Sequence, residues 1–384
     1  MHFSLVLLIF TIPLIFANLP LSNHPVLDVL NGPDYSKDVR PLPNETESKI
    51  LGNNATLVKV NIAIRKIYRI DDLKMEFVAQ LTFRQTWQDH RLRFEGSSPG
   101  EYITLNEMGD KIWTPALFFM NEATSSVHTT FKTNSYKRVY STGKVVWSTR
   151  LTVTFACEMD LTYFPFDKQI CSIQISDYSG TSSDIMLAWD GEDPVDLRES
   201  KNLPYSRFTL EAVKTSVGSL NPTKVGEFSH IIADFHLRRH STAYMLFIYL
   251  PTTMFVVLSW ISFWLGPSIS TRVSLTVTLL LTMTTQIQGA NQTLPQVSYI
   301  KAVDVWAGFC MVFAVLSILE TATVTFLTQG NKVFAIGCDK GGGEKEDKNV
   351  RYDCFGRKLD KVCRILFPVC FTACAVAYVH VYVY

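Results

Sequence analysis

Apolar and polar positions divide the chain into two unlike parts. From about Asn18 to Arg239 no apolar run is long enough to cross a bilayer, and short alternating stretches appear instead. Val58, Val60, Ile62 and Ile64 are interleaved with Lys59, Asn61 and Arg65, the period-two pattern of a half-buried strand. Similar runs at 75–87, 145–155, 168–175, 207–215 and 228–237, separated by Gly, Pro, Asn and Ser, predict an extracellular antiparallel β-sandwich. A short N-terminal helix is predicted ahead of them. Ser22 can cap it, Val26, Leu27 and Leu30 share a face, and Gly32 closes it.

Beyond Arg239 the pattern changes. Residues 243–264 are apolar and uncharged, 273–289 are rich in Leu and Thr, 303–328 are interrupted by the single acid Glu320, and 366–384 close the chain. These lengths predict a four-helix transmembrane bundle. The apolar run from Phe3 to Ala17 is too short to span and reads as a secretory signal over 1–17, with a buried N-terminal strand as the alternative; its flank is weak, with His2 where Lys or Arg is usual. A cleaved signal and four spans put both mature ends outside. The resulting division is 1–17 signal, 18–239 extracellular sandwich and 240–384 transmembrane domain.

Charge fixes the orientation. Lys332, Lys340, Lys345, Lys348, Arg351, Arg357, Lys358, Lys361 and Arg364 separate the third and fourth spans, whereas 290–302 carries only Lys301. The segment 329–361 is therefore read as a short cytoplasmic loop, flexible around Gly341–Gly343. The glycosylation sequons at Asn44, Asn54 and Asn291 all fall on the outer side. Lys and Arg total 36 against 35 Asp and Glu, a balance that gives no reason to expect nucleic acid. The 18% charged content with 12% aromatics excludes a disordered chain, and the mean hydropathy of +0.12 reflects the spans.

The second span carries chemistry of its own. Ser274, Thr278, Leu281, Thr285 and Gln288 recur at steps of four and three, so they share one helix face. Several such helices around an axis would let these groups line water, with packing of the hydroxyls against the other spans as the alternative. Leu281, the large apolar residue of the stripe, would form a ring able to dewet a pore, which makes it the gate candidate.

Of eight cysteines only Cys157 and Cys171 lie in the extracellular part, and a lone pair in an oxidising compartment is read as one disulfide. The others are read as free thiols; no zinc spacing is present, and no metal or cofactor is expected. The loop between the pair, with Phe164-Pro165-Phe166-Asp167 at its tip, resembles the signature loop of the Cys-loop pentameric ligand-gated ion channels. Val39-Arg40-Pro41, the stretch Arg84-Gln85-Thr86-Trp87-Gln88-Asp89-His90-Arg91-Leu92, Trp113-Thr114-Pro115, residues 294–302 and the 365–368 opening of the last span extend the resemblance over nearly the whole chain. Its texture is similar to the branch gated by GABA, glycine and glutamate that conducts chloride.

That resemblance implies a pentamer of identical or sister subunits around a central pore at the plasma membrane, in contact with lipid. A small-molecule agonist (amino acid, amine or proton) would bind between subunits. By position, Phe118, Tyr178 and Phe228 would supply aromatic faces for an ammonium. Thr82, Arg84 and Ser148 of the neighbouring subunit would face the cleft while Phe83 and Trp87 point into the core. Arg84 could take a ligand carboxylate, or simply be a surface Arg satisfied by Glu227 or another carboxylate. Two departures from the family loosen the pocket: Ala116 replaces the acid that commonly follows Trp-x-Pro, and Thr223 stands where many members have an aromatic. Gating would run through Phe164, Pro165, Phe166, Asp167, Asp71 or Asp72, Arg239, Pro295, Tyr299 and Lys301, with Asp167 able to pair with Arg239.

For selectivity, chloride-conducting members place Pro-Ala before the Arg at the foot of the pore helix. Here Thr271 precedes Arg272. No acidic side chain lies between Trp264 and Ser298, which leans towards anions, although Arg272 can equally be a structural anchor. His230, His236 and His240 leave proton sensitivity open. No enzyme motif is present. The competing readings are a cation-selective or proton-gated member of the same family, and a membrane-anchored adhesion sandwich that does not conduct.

Overall fold

The computed structural model describes residues 25–43, 54–95, 101–105, 107–197, 207–219, 226–265, 269–292, 297–329 and 348–383. The signal read over 1–17, the cap at Ser22, Asn44, Thr223 and Pro295 lie outside the described residues. Helix α1 (Pro25–Asn31) buries Val26 and Leu30, two members of the predicted face.

Strands β1 (Thr56–Asp71) and β2 (Glu76–Gln88) pair antiparallel, and β2 pairs in turn with β7 (Lys144–Ala156). Alternation puts the apolar members of all three on one face. Val58, Val60 and Ile62 have no exposed surface, and Leu81, Phe83, Trp87, Val153 and Phe155 are buried beside them. Each such side chain withdrawn from water contributes roughly 1.5–3 kcal/mol. The sheet continues through β6 (Ser135–Tyr140) to β3 (Tyr102–Leu105), and takes in β5 (Glu122–Val127), β9 (Ile185–Trp189) and β10 (Val195–Asp196).

A second sheet runs β11 (Phe208–Ser219), β12 (Ser229–Arg239), β8 (Lys168–Asp177) and β4 (Leu117–Phe119). Its inward residues Ile173, Ile175, Ile231, Ala233 and Phe235 close the core against the first. The disulfide joins Cys157 to Cys171 with an S–S distance of 2.00 Å. The sandwich expectation thus holds, with six short strands added to those read from alternation.

Four helices follow: α2 (Thr242–Trp264), α3 (Ile269–Asn291), α4 (Ala302–Gln329) and α5 (Lys348–Tyr382). Three of them, Thr242–Trp264, Ala302–Phe326 and Lys358–Tyr382, are long and apolar enough to cross a membrane. Apolarity alone thus supports three of the four expected spans. Helix α3 has 23 residues, but its Ser, Thr and Gln keep it below the hydropathy of its neighbours. An aromatic cluster of Trp306, Phe309, Phe313 and Phe371 cements α4 to α5, with Phe309 and Phe371 stacked at 4.9 Å. Tyr249 of α2 joins it through its hydroxyl, 2.7 Å from that of Tyr378. Val362, Ile365, Val369 and Val376 remain exposed on α5, as a lipid-facing surface requires.

The last helix extends beyond the apolar run read from the sequence. It begins at Lys348, inside the segment 329–361 read as a cytoplasmic loop. An apolar count detects only the part of a helix that lies in hydrocarbon, whereas Lys, Arg and Leu propagate the helix beyond it.

Candidate functional site

The outer face of the first sheet carries a polar array built by register. Arg84 stands opposite Asn61 on one side and Ser148 on the other, and Ser148 opposite Tyr136. The next row sets Thr82 between Ala63 and Arg150. The three expected cleft residues therefore share one face, while Phe83 and Trp87 point into the core. Asn61 Oδ1 accepts from Arg84 Nη1 at 2.7 Å, and Arg65 Nε donates to Thr82 Oγ1 at 2.9 Å. Arg84 does not need Glu227 as a partner. Arg65 was missed by the sequence reading, although it alternates with Ala63 and Asn61 on the same strand.

The opposite edge of the sandwich gathers the aromatic residues. Phe118 on β4 and Tyr178 after β8 meet edge-to-face at 5.8 Å, and Tyr178 is 79% exposed. Phe228 enters β12 half-buried and stacks on neither of them among the described contacts. The loop after Tyr178 is tied to the hairpin, since Ser182 N–H donates to the Glu227 carbonyl at 2.8 Å. Gly226 sits at φ +146°, where a Cβ would meet Thr181 at 2.9 Å, so a larger residue would push the two apart.

Between sandwich and helices lies a buried ion triad. Arg239 Nε meets Asp167 Oδ1 at 2.7 Å, and its Nη1 meets Asp72 Oδ2 at 2.7 Å. The rings of Phe208 and Phe164 lie 4.4 and 4.8 Å from the guanidinium carbon. Burial works against the charge of Arg239, yet hydrogen bonds and attraction from Asp167 and Asp72 outweigh it and hold its pKa above the ordinary value. Asp72 is thus the acid of this junction. Asp71 instead accepts from the main-chain N–H groups of Leu73 and Lys74.

The tip of the disulfide loop reaches the helices. The Phe164–Pro165 peptide is cis, Phe164 packs edge-on to Tyr244 at 4.7 Å, and Phe166 lies 6.1 Å from Tyr249. Leu161 N–H donates to the Tyr299 hydroxyl at 2.9 Å, and Ala302 N–H donates to the Thr162 carbonyl at 2.9 Å. Thr162 also donates twice to Asp160, which holds that carboxyl below its usual range. Lys301 is spent locally on Asp304 at 2.9 Å.

On α3, Ser274, Thr278, Thr285 and Gln288 are all exposed, and Leu281 among them is 64% exposed. The stripe is the face that the other three helices leave uncovered. Thr271 is exposed at the foot, but Arg272 departs from the selectivity expectation. It is only 5% exposed, and its guanidinium is bidentate to Asp360 of α5 at 3.0 and 2.9 Å. It is an anchor between two helices, its charge matched by a carboxylate 88 residues away. Asn54 and Asn291 are exposed at the ends of β1 and α3. Among the described residues no group of His, Cys, Asp and Glu could hold a metal.

A sandwich with polar and aromatic edges, joined through a buried triad to helices with one uncovered hydroxyl stripe, is the architecture of a receptor-channel subunit. Residues 24–241 match the family model for the neurotransmitter-gated ion-channel ligand binding domain, and residues 248–333 match that for the neurotransmitter-gated ion-channel transmembrane region. The glutamate-gated chloride channel of Drosophila melanogaster is 39% identical over 346 residues, covering 89% of this chain and 72% of that protein. The gamma-aminobutyric acid receptor subunit rho-2 of Homo sapiens is 37% identical over 278 residues, 72% of this chain and 60% of that protein. The glutamate-gated chloride channel subunit beta of Haemonchus contortus is 35% identical over 297 residues, 76% and 68%. The chain belongs to the neurotransmitter-gated ion-channel family, whose members are membrane-spanning ligand-gated channels with an extracellular ligand-binding domain.

Proposed function

We propose that this chain forms an anion-selective pentamer at the plasma membrane, alone or with sister subunits, with both mature ends outside. Its agonist is a small amino acid bound between the Phe118–Tyr178 edge of one subunit and the Arg84 face of the next. The observation that carries the reading is the exposed stripe Ser274–Gln288 on a helix with no carboxylate from Trp264 to Ser298. Five such stripes enclose a water-filled path that offers hydroxyls and amides, and nothing at either mouth of the stripe concentrates cations. Anion preference comes from this absence of acids rather than from Arg272, which Asp360 neutralises.

The chemistry of the cleft supports a carboxylate-bearing agonist. Arg84 and Arg150 occupy neighbouring rows of β2 and β7, and Arg65 reaches Thr82 in the same row as Arg150. A guanidinium fork recognises a carboxylate in two parallel hydrogen bonds. The exposed rings of Tyr178 and Phe118 offer faces to the agonist's ammonium. Binding across two subunits biases the sandwich packing, and the junction at Arg239 passes that bias to the helices.

The test is expression of the full chain alone in oocytes, with amino acids, amines and pH steps applied in turn. Currents are expected with amino acids, reversing at a potential that follows the chloride gradient. A reversal potential indifferent to chloride overturns anion selectivity in favour of a cation channel. Activation by acid pH alone moves the agonist to protons, and no conductance under any condition favours a non-conducting adhesion sandwich.

A further inference from the structure

Helix α2 contains Pro251, which has no N–H to return to the carbonyl four residues earlier, that of Phe247. The helical ladder is disturbed there: Met245–Tyr249 is π-helical, and Leu250 N–H reaches back to the Met245 carbonyl. Next to the break, threonine hydroxyls bond back along the helix. Thr252 Oγ1 donates to the Ile248 carbonyl at 2.8 Å, and Thr253 Oγ1 to that of Tyr249 at 2.6 Å. The Phe247 carbonyl is served from elsewhere. It accepts from Nε2 of Gln286 at 2.9 Å, a residue 39 positions further on in the pore-stripe helix α3. Trp306 of α4 donates to Thr252 Oγ1 at 3.0 Å, so three helices converge on the broken turn.

Gln286 directly follows Thr285 of the exposed stripe, and the helical turn of about 100° per residue puts the two side chains on adjacent faces. The amide of Gln286 is thereby tied sideways into α2 while Thr285 stays on the open face. We propose that Gln286 is a positioning residue of the gate: by completing the carbonyl that Pro251 leaves open, it sets the rotation of α3 against α2 and with it the aim of Leu281 and Thr285. In a hydrocarbon surrounding a bare carbonyl is costly, so the bond resists any movement of α3 that does not carry α2 along. The sequence pair explains itself chemically. A Pro in one helix creates the vacancy, and an amide in the next fills it.

The gating half of the proposal rests on the channel reading; the hydrogen bond does not. The test is a double-mutant cycle on the full chain. Gln286→Met keeps length and removes the donor, while Pro251→Ala restores a main-chain N–H to the Phe247 carbonyl; Pro251→Leu serves if the alanine variant does not reach the surface. The variants are made on Leu281→Thr, and agonist-free current per surface receptor is read in oocytes. With Pro251 present, Gln286→Met shifts that current roughly fivefold, the weight of one net hydrogen bond. On the Pro251→Ala or Pro251→Leu background the same substitution leaves the current unchanged. Equal shifts in both backgrounds overturn the proposal. Melting of the four purified variants gives a second cycle, in which Gln286→Met lowers the melting temperature only when Pro251 is present. A Leu281→Thr receptor that reaches the surface and conducts neither with nor without agonist overturns the channel reading, and the melting cycle then decides the hydrogen bond alone.

Discussion

Arg239 and Asp72 face each other in a two-pronged pair at 2.7 and 3.1 Å, and both side chains are sealed from water. Asp167 holds the other side of the guanidinium, so one cation serves two acids at the base of the sandwich. Arg239 ends the strand that leads into α2, Asp167 ends the loop tip that touches Tyr244 and Tyr249, and Asp72 sits in the β1–β2 turn. Three segments that meet the membrane domain are thus locked to one another.

Removing the cation leaves two buried carboxylates without a counter-charge, which costs about 3–5 kcal/mol. Arg239→Ala is therefore expected to abolish assembled receptor, read as loss of the oligomer peak in size-exclusion chromatography. Asp72→Asn keeps a hydrogen-bond acceptor and leaves Asp167 in place, so it should assemble with a lowered melting temperature. Equal assembly of wild type and Arg239→Ala would falsify the structural role of the triad.

At the proposed cleft, Asn61 aims Arg84 along the sheet face through a 2.7 Å hydrogen bond. A charged hydrogen bond to a ligand carboxylate is worth about 1.5–3 kcal/mol. Arg84→Ala should raise the half-activating concentration of the amino acid agonist roughly 10- to 100-fold in oocytes, and Arg84→Lys should rescue little because the fork is lost. Asn61→Ala, which frees the guanidinium without removing it, should cost less. An unchanged dose–response curve for Arg84→Ala would move the agonist away from this face.

Much of this arrangement was legible in the sequence because period-two alternation is strong in β1, β2, β7, β8 and β12, where every second residue enters the core. Strand β5 escaped because all six of its residues are exposed and no apolar beat marks it. The Cys157–Cys171 pair and the Ser274–Gln288 stripe are local patterns, and they appear where the spacing puts them. The partners of the two buried arginines are different in kind. Asp72 is 167 residues from Arg239 and Asp360 is 88 from Arg272, and nothing near either arginine points to them. For Arg272 this distance matters most, because a basic residue at a pore foot reads as a selectivity group until its carboxylate is found.

Leu281 is the one large apolar side chain on the exposed stripe, with Thr278 and Thr285 on either side. In the proposed pentamer five copies around an axis would give a hydrophobic ring in an otherwise polar path, and water leaves such a constriction readily. Leu281→Thr should wet the ring and produce agonist-free current, or shift activation to lower agonist concentration. Thr285→Ser, which keeps a hydroxyl in the same row, should behave like wild type. A Leu281→Thr receptor that reaches the surface and gates like wild type would place the gate elsewhere.

Lys137 on β6 provides a pH dependence in the sandwich. Its Nζ donates to the Gly109 carbonyl at 2.7 Å, lies 5.0 Å over the Trp147 ring and is 3.8 Å from the exposed carboxylate of Asp110. Burial pushes its pKa below the usual 10.5, and Asp110 opposes this without reversing it. Between the lowered folded value and 10.5 the unfolded chain therefore binds more protons than the folded one, and stability rises with pH across that interval. Other groups titrate in the same range, so the informative quantity is the difference between wild type and Lys137→Met, which carries no charge there. Melting followed by tryptophan fluorescence, with Trp147 in contact with the side chain, should give a wild-type melting temperature that climbs towards pH 10.5 relative to the variant. Parallel pH profiles for the two proteins would show that Lys137 titrates as it does in water.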